Sequence, residues 1–174
     1  MVIIRTKRFA LRTLKMSDAD SIARHANDWQ IAKNLTDSFP YPYHLKDATK
    51  YISLCQKKYR SKKTEHISYG IEIDGQIVGI IGCHNIAKGH KASIGYWIGK
   101  QFWGKGLMTE IAKAFMNYII KKYDLVRVEA YAYSWNKASM RVMEKCGMKF
   151  EGIKRKNTRS RGKIIDDYHW AKVK

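Results

Sequence analysis

The sequence predicts a single α/β domain over residues 1–174, and three observations carry that prediction. Apolar patterns follow the order strand, helices, three strands, helix, strand, helix, two strands. Asp74-Gly75 sits between two apolar alternating runs, which is the local signal of a tight β-hairpin. At residues 92–120 a strand runs into a glycine-rich turn and from there into a helix. At 174 residues the chain is long enough for one domain with a substantial core.

The elements follow in order. FALRTL (9–14) alternates as a strand, and Ser17 with Asp20 makes an S-x-x-D helix start for an amphipathic helix closing near Asn27. WQIAKNL is a short helical turn, and TDSFPYPYH an aromatic loop. A longer helix is expected from Leu45 to Arg60, with Ala48, Tyr51, Ile52, Cys55 and Tyr59 on one face. HISYGIEI and QIVGIIGCH are the strands of the Asp74-Gly75 hairpin, and a turn near Lys88-Gly89 leads into KASIGYWIG. LMTEIAKAFMNYIIKKY is a helix with Ile111, Ala114, Phe115, Tyr118 and Ile119 on one face. LVRVEAYAY reads as a strand, and NKASMRVMEKC as a helix capped by Asn136. MKFEGIK, a basic loop at 154–163 and KIIDDYHWAKV complete a final hairpin.

Composition excludes several classes. The chain is 45% apolar and 12% aromatic, which is globular rather than disordered. Both prolines lie in FPYP, so no Pro-rich linker divides it. No apolar run reaches the roughly 18 residues that span a bilayer, and the basic amino terminus is not a secretory signal. Cys55, Cys83 and Cys146 are too far apart for a zinc site or a disulfide framework and read as buried small hydrophobes. The histidines offer no metal spacing either. The cytoplasm is therefore the expected compartment. The net charge of +19 has two readings: a proteome with basic surfaces, or a polyanionic partner such as a phosphorylated cofactor or an RNA-rich assembly. One cofactor accounts for only a few of those charges.

GKQFWGKGLMTE (99–110) begins like a phosphate-binding loop, but Gly106 stands where a nucleoside triphosphatase needs a hydroxyl to hold magnesium. A dinucleotide-binding fold places its glycine turn after the first strand, and here the turn comes late. What remains is a strand, a glycine turn and a helix amino terminus, whose free N–H groups and positive end suit an anion without metal. Coenzyme A fits, with its pyrophosphate on the N–H groups.

Gln101-Phe102-Trp103-Gly104-Lys105-Gly106 matches the [QR]-x-x-G-x-[GA] loop of the GNAT N-acetyltransferase superfamily, and NKASMRVMEKCGMKFEG (136–152) resembles its second motif. NDWQIAKNL, FPYPY and NKAS make the chain most similar to the RimJ/RimL branch, which acetylates protein α-amines, notably of ribosomal proteins. The resemblance implies an α+β fold with a mixed, mostly antiparallel central sheet flanked by helices. It implies acetyl-CoA as cosubstrate, no metal and no membrane. Trp97, Ile98, Gln101, Gly104, Lys105, Gly106, Leu107, Met108, Asn136 and Ser139 would hold acetyl-CoA, with backbone N–H near Trp97 and Ile98 on the thioester carbonyl. Trp29, Phe39 and Tyr41 would wall the acceptor pocket; their alternative reading is loop packing. Homodimers are common in the branch.

Many members carry a tyrosine as general acid four residues before the glycine of the second motif. Here that position is Met143, so the RimL-like pattern assigns the role to Ser139. Glu129, on the strand VRVEAY, is the expected base, with Glu110 and Glu72 as alternatives. At about pH 7 an α-amine of pKa near 7.8 is roughly 14% neutral, and a lysine amine near 10.4 about 0.04%, so a weak base favours an α-amine. The expected function is acetyl transfer to a protein amino terminus. Two rivals stay open: acetylation of a small amine such as a polyamine or aminoglycoside, which a +19 chain disfavours, and a non-catalytic RNA- or ribosome-binding module, which needs no intact glycine loop.

Overall fold

The computed structural model describes residues 1–61 and 65–174. Its core is one eight-stranded sheet, ordered β1-β2-β3-β4-β5-β6-β8-β7. The strands are β1 (Val2–Arg5), β2 (Ala10–Arg12), β3 (Ile67–Ile73), β4 (Gln76–Ala87), β5 (Lys91–Ile98), β6 (Arg127–Tyr133), β7 (Lys149–Ser160) and β8 (Lys163–Val173). Only β5 and β6 pair in parallel, as the crossover through a helix requires. Every other neighbouring pair is antiparallel.

The helices divide between the two faces. Along β4, Ile80 belongs to one apolar cluster and Ile81 to the other, as a two-residue side-chain period demands. Ile77 and Ile80 pack against Ile22 of α1 (Ala19–Ala26) and Ala48, Ile52 and Cys55 of α3 (Leu45–Arg60). On the opposite face Ile81, Ile94 and Val128 pack against Ile111, Phe115 and Ile119 of α4 (Leu107–Tyr123) and Met143 of α5 (Lys137–Lys145). The short α2 (Trp29–Ala32) leads into the aromatic loop. Both central hairpin turns fall on their glycines, with Asp74 and Gly75 at φ 49° and 76° in the first and Gly89 at φ 73° in the second.

Three local expectations are corrected. Val2–Arg5 is a strand added antiparallel to β2, too short to declare itself by alternation. The first helix is entered through a single tight turn at Met16–Asp18, so Asp18 rather than Ser17 stands at its start. The basic run at 154–163 is mostly strand, not loop. β7 continues to Ser160 because the buried Asp167 carboxylate accepts from Asn157 Nδ2 and Thr158 Oγ1, both at 2.6 Å, across an irregularity in the β7–β8 pairing. The hairpin tip then closes on the aromatic loop: Arg161 N–H donates to Asp37 Oδ1 at 2.8 Å and its guanidinium to the Phe39 carbonyl at 2.6 Å.

Asp18 has a stronger reason for its position. Arg12, on β2, donates through both terminal nitrogens to the two Asp18 oxygens at 2.8 Å, and through Nε to Glu72 on β3. Arg12 and Asp18 are each 7% exposed. Burial pushes the Asp18 carboxyl up, but the Arg12 fork and the Lys15 amide outweigh it and hold the carboxyl below the ordinary range. Removing one partner from such a pair strands a buried charge, at about 3–5 kcal/mol. We expect Asp18→Ala to lose about 3 kcal/mol by urea denaturation, since Glu72 still faces Arg12. The native carboxyl titrates lower than the unfolded one. Its contribution is thus fully present above pH about 4 and lost as pH falls through the folded pKa, so the gap between the two proteins should close in acid.

Candidate active site

The site is built where two parallel strands part. β5 and β6 pair only across Lys91–Ser93 and Arg127–Glu129. Beyond this, β5 keeps β4 on one side and β6 keeps β8 on the other. A continuous cavity of about 1400 Å³ crosses the sheet through the gap.

Backbone direction along β5 follows from one hydrogen bond. Gly99 N–H donates to the Val78 carbonyl at 2.8 Å, so alternation turns the Trp97 and Gly95 amides toward β4 and those of Ile98 and Tyr96 toward the gap. The Ile98 carbonyl agrees, because it takes the Trp103 indole N–H at 2.8 Å rather than a β4 partner. The gap-facing donors are thus Tyr96 and Ile98. Trp97 presents its side chain, not its backbone, and lines the far lobe with Phe39, their rings 5.9 Å apart.

On the α4 side, the helix starts at Gly106, in the left-handed conformation at φ 72°, with no side chain capping it. The first intrahelical bond runs from Glu110 N–H to Gly106 O, leaving the Leu107, Met108 and Thr109 amides free of the helix ladder. Gly104 has φ 75°, and a Cβ at either glycine would meet only open space. Such a turn brings bare backbone and the positive helix end to the cavity wall, where a phosphate group fits. The turn is tied down by Arg8, which pairs with Glu110 and donates to the Lys105 carbonyl at 3.1 Å.

Opposite this turn, Asn136 Oδ1 accepts from Ser139 N–H at 3.2 Å, fixing the first turn of α5. The Ser139 hydroxyl lies 2.9 Å from the Tyr96 hydroxyl. Burial drives the Tyr96 phenol far up, with Ser139 pulling weakly the other way, so Tyr96 stays protonated and able to donate. Met143 is buried in the core, 2% exposed, and fills the place of the commoner tyrosine with a thioether.

Of the residues singled out by sequence, Phe39, Trp97, Ile98, Gly104, Gly106, Leu107, Met108, Asn136 and Ser139 line the cavity. Gln101 and Lys105 stand outside it: Gln101 turns toward the buried His25, and the Lys105 ammonium lies 5.9 Å from the Phe102 ring. Trp29 and Tyr41 pack against each other with ring centroids 5.3 Å apart and planes 54° from parallel, and the Arg161 guanidinium lies 6.0 Å from the Trp29 ring. Glu129 is bound to Arg127 at 2.7 Å and Lys91 at 3.4 Å. Burial raises that carboxyl, but the two cations outweigh it and hold it low. Sequence reasoning missed Tyr96, Tyr131 and Tyr133. Alternation in GYW and in EAYAY carried the signal: Tyr131 and Tyr133 lie on the face opposite Ala130 and Ala132. Among the described residues no His, Cys, Asp and Glu cluster is placed to hold a metal ion, and no helix is long and apolar enough to cross a membrane.

Residues 8–149 match the family described as acetyltransferase (GNAT) domain. The chain is 28% identical to the probable N-acetyltransferase YjcK of Bacillus subtilis over 165 residues, covering 92% of this chain and 91% of that one. It is 32% identical over 79 residues to the [ribosomal protein uS5]-alanine N-acetyltransferase of Escherichia coli, covering 44% of this chain and 41% of that one. The fold superposes with a TM-score of 0.87, at 20% identity, on RimL, a ribosomal L7/L12 α-N-protein acetyltransferase in complex with coenzyme A, covering 99% of this chain and 98% of that one. With the glycine turn, the parted strands and this match over most of its length, the chain belongs to the GNAT acetyltransferase family.

Proposed function

We propose that the protein transfers an acetyl group from acetyl-CoA to the α-amine of a protein amino terminus, with ribosomal proteins the acceptors its relatives point to. The observation that carries this reading is the cavity crossing the sheet between β5 and β6, with a bare helix amino terminus on one side and an aromatic lobe on the other. The α4 terminus and the Gly104–Gly106 turn would hold the pyrophosphate, as the open space above both glycines allows. The cosubstrate supplies an activated acyl carbon as a thioester. The gap-facing amides of Tyr96 and Ile98 are placed to stabilise negative charge on the acyl oxygen. The Ser139 hydroxyl, backed by Tyr96, donates a proton to the departing sulfur.

The acceptor lobe supports an amino terminus over a polycation. Asp47 is the one carboxylate among the described lining residues, and its oxygen already accepts from His44 N–H at 2.8 Å. Phe39, Tyr43, Trp97, Tyr131 and Tyr133 supply apolar surface with polar tips, suited to the first side chains of a peptide. The edge strand β7, with exposed Lys154, Arg155 and Arg159, supports electrostatic attraction to an RNA-rich assembly around such an acceptor. Work of this kind belongs in the cytoplasm.

The functional test is acetyl-CoA consumption across amino-terminal peptides, lysine-only peptides and polyamines. Amino-terminal peptides should be turned over fastest; a preference for polyamines would overturn the acceptor reading. Gly106→Glu should abolish acetyl-CoA binding while Gly106→Ala, which carries the same positive-φ strain without charge, should retain it. Equal loss in both variants would deny the turn its role in binding anions.

Ser139→Ala should lower kcat by about 10–100-fold and leave acetyl-CoA affinity nearly unchanged. That is the low end for a general acid because a thiolate of pKa near 8.5 is already a fair leaving group. A wild-type kcat in this variant, with chemistry limiting, would leave water as the donor.

A further inference from the structure

The α-ammonium must lose a proton before it attacks, and Glu129 is poorly suited to take it. Its carboxylate is tied to Arg127 and Lys91, held low, and set outside the cavity. A different group occupies the acceptor face. His84, near the end of β4, is half-buried and lines the cavity, and its ring lies 3.5 Å from where a side chain on Gly95 would begin. Gly82 and Gly95 face each other across β4 and β5, and Gly95 is followed on the same face by Trp97. The Ser68 side chain fills the space above Gly82, while the cavity passes over Gly95 between the imidazole and the aromatic lobe. Two residues along a strand span about 6.8 Å, a distance a short water chain bridges.

Resting on the acetyltransferase reading above, we propose that His84 is the general base that deprotonates the acceptor α-ammonium, directly or through water in the cavity beside Gly95. The ammonium gives one proton to His84, and the freed nitrogen lone pair forms the bond to the acyl carbon. The carbon–sulfur bond breaks with its electron pair on sulfur, which takes a proton from Ser139. The nitrogen's second proton replaces the one Ser139 gave, and His84 returns its own to solvent. The products are the amide, the free thiol and one proton.

The surroundings keep His84 in the accepting form. Burial lowers its pKa first, and the neighbouring His66 and Lys58 lower it further. His66, just before β3, stacks on it with ring centroids 6.3 Å apart and planes 25° off parallel. Lys58 comes from α3, across the same lobe. Along the sheet row, uncharged Ser93 comes next on β5 and the ion-paired Glu129 beyond it on β6. The imidazole is therefore neutral at about pH 7 and titrates below its ordinary value near 6.5.

The test is the pH dependence of kcat, measured with acetyl-CoA and whichever amino-terminal peptide the panel turns over fastest. The wild-type profile should fall on its acid side below pH about 6.5. His84→Gln should lower kcat by about 100-fold at neutral pH and remove that limb, with KM for acetyl-CoA unchanged. His66→Gln should keep the plateau but move the limb to higher pH, because one like charge is gone. Glu129→Gln should leave both plateau and limb in place. A His84→Gln enzyme with wild-type kcat across the profile would overturn the proposal and leave the acetyltransferase reading standing; so would an acid limb that persists in His84→Gln and vanishes in Glu129→Gln. A wild-type protein that binds acetyl-CoA but acetylates no amine would instead overturn the functional reading, and the proposal with it.

Discussion

Two parallel strands joined by a helix pair over three residues and then separate, and that parting governs where the rest of the molecule places its chemistry. A paired strand spends its backbone groups on neighbours; a parted one keeps them for a ligand. β4 and β8 hold the outer edges of β5 and β6, so the gap is fixed by the sheet on both sides rather than by a mobile loop. The connection between the two strands then puts the start of α4 beside the gap, since β5 runs on to Ile98 after its pairing with β6 has ended at Ser93. The open edge of β5 and the bare start of α4 are consequences of one topological event.

The polar devices around the gap are held by partners outside it. Arg8 ties the glycine turn to α4, Asn136 sets the first turn of α5, and Arg161 fastens Phe39 through its carbonyl. The Arg12–Asp18–Glu72 cluster joins β2, β3 and the entry to α1, so this end of the sheet rests on charge pairing as well as apolar packing. Tyr96, Ser139 and His84 line the cavity, whereas Arg12 and Asp18 are buried in a closed pair.

Much of this was legible in the sequence. α3 and α4 run over the residues their apolar periodicity marks, because a long amphipathic stripe has one face to bury. The glycine turn and the Asn136 cap were legible through local backbone chemistry, and both line the cavity. What the sequence hid was long-range. Asp18 displaced Ser17 at the helix start because Arg12, on another element, claims it; β7 ran through the basic segment because Asp167, on the partner strand, pins its irregularity. Glu129 looked available on its strand, and only the fold brings Lys91 and Arg127 to the same carboxylate. Tyr96 meets Ser139, and His84 meets Gly95 and His66, across gaps no spacing rule reaches.

The most direct test of the parted-strand account is amide hydrogen exchange in β5 and the first turn of α4, with and without acetyl-CoA. The account predicts that acetyl-CoA slows exchange at Tyr96 and Ile98 together with Leu107 and Met108, and that ATP with magnesium does not reproduce the β5 effect. Protection confined to the α4 turn, with Tyr96 and Ile98 exchanging as before, would contradict it, because the thioester would then not lie against the open edge of β5.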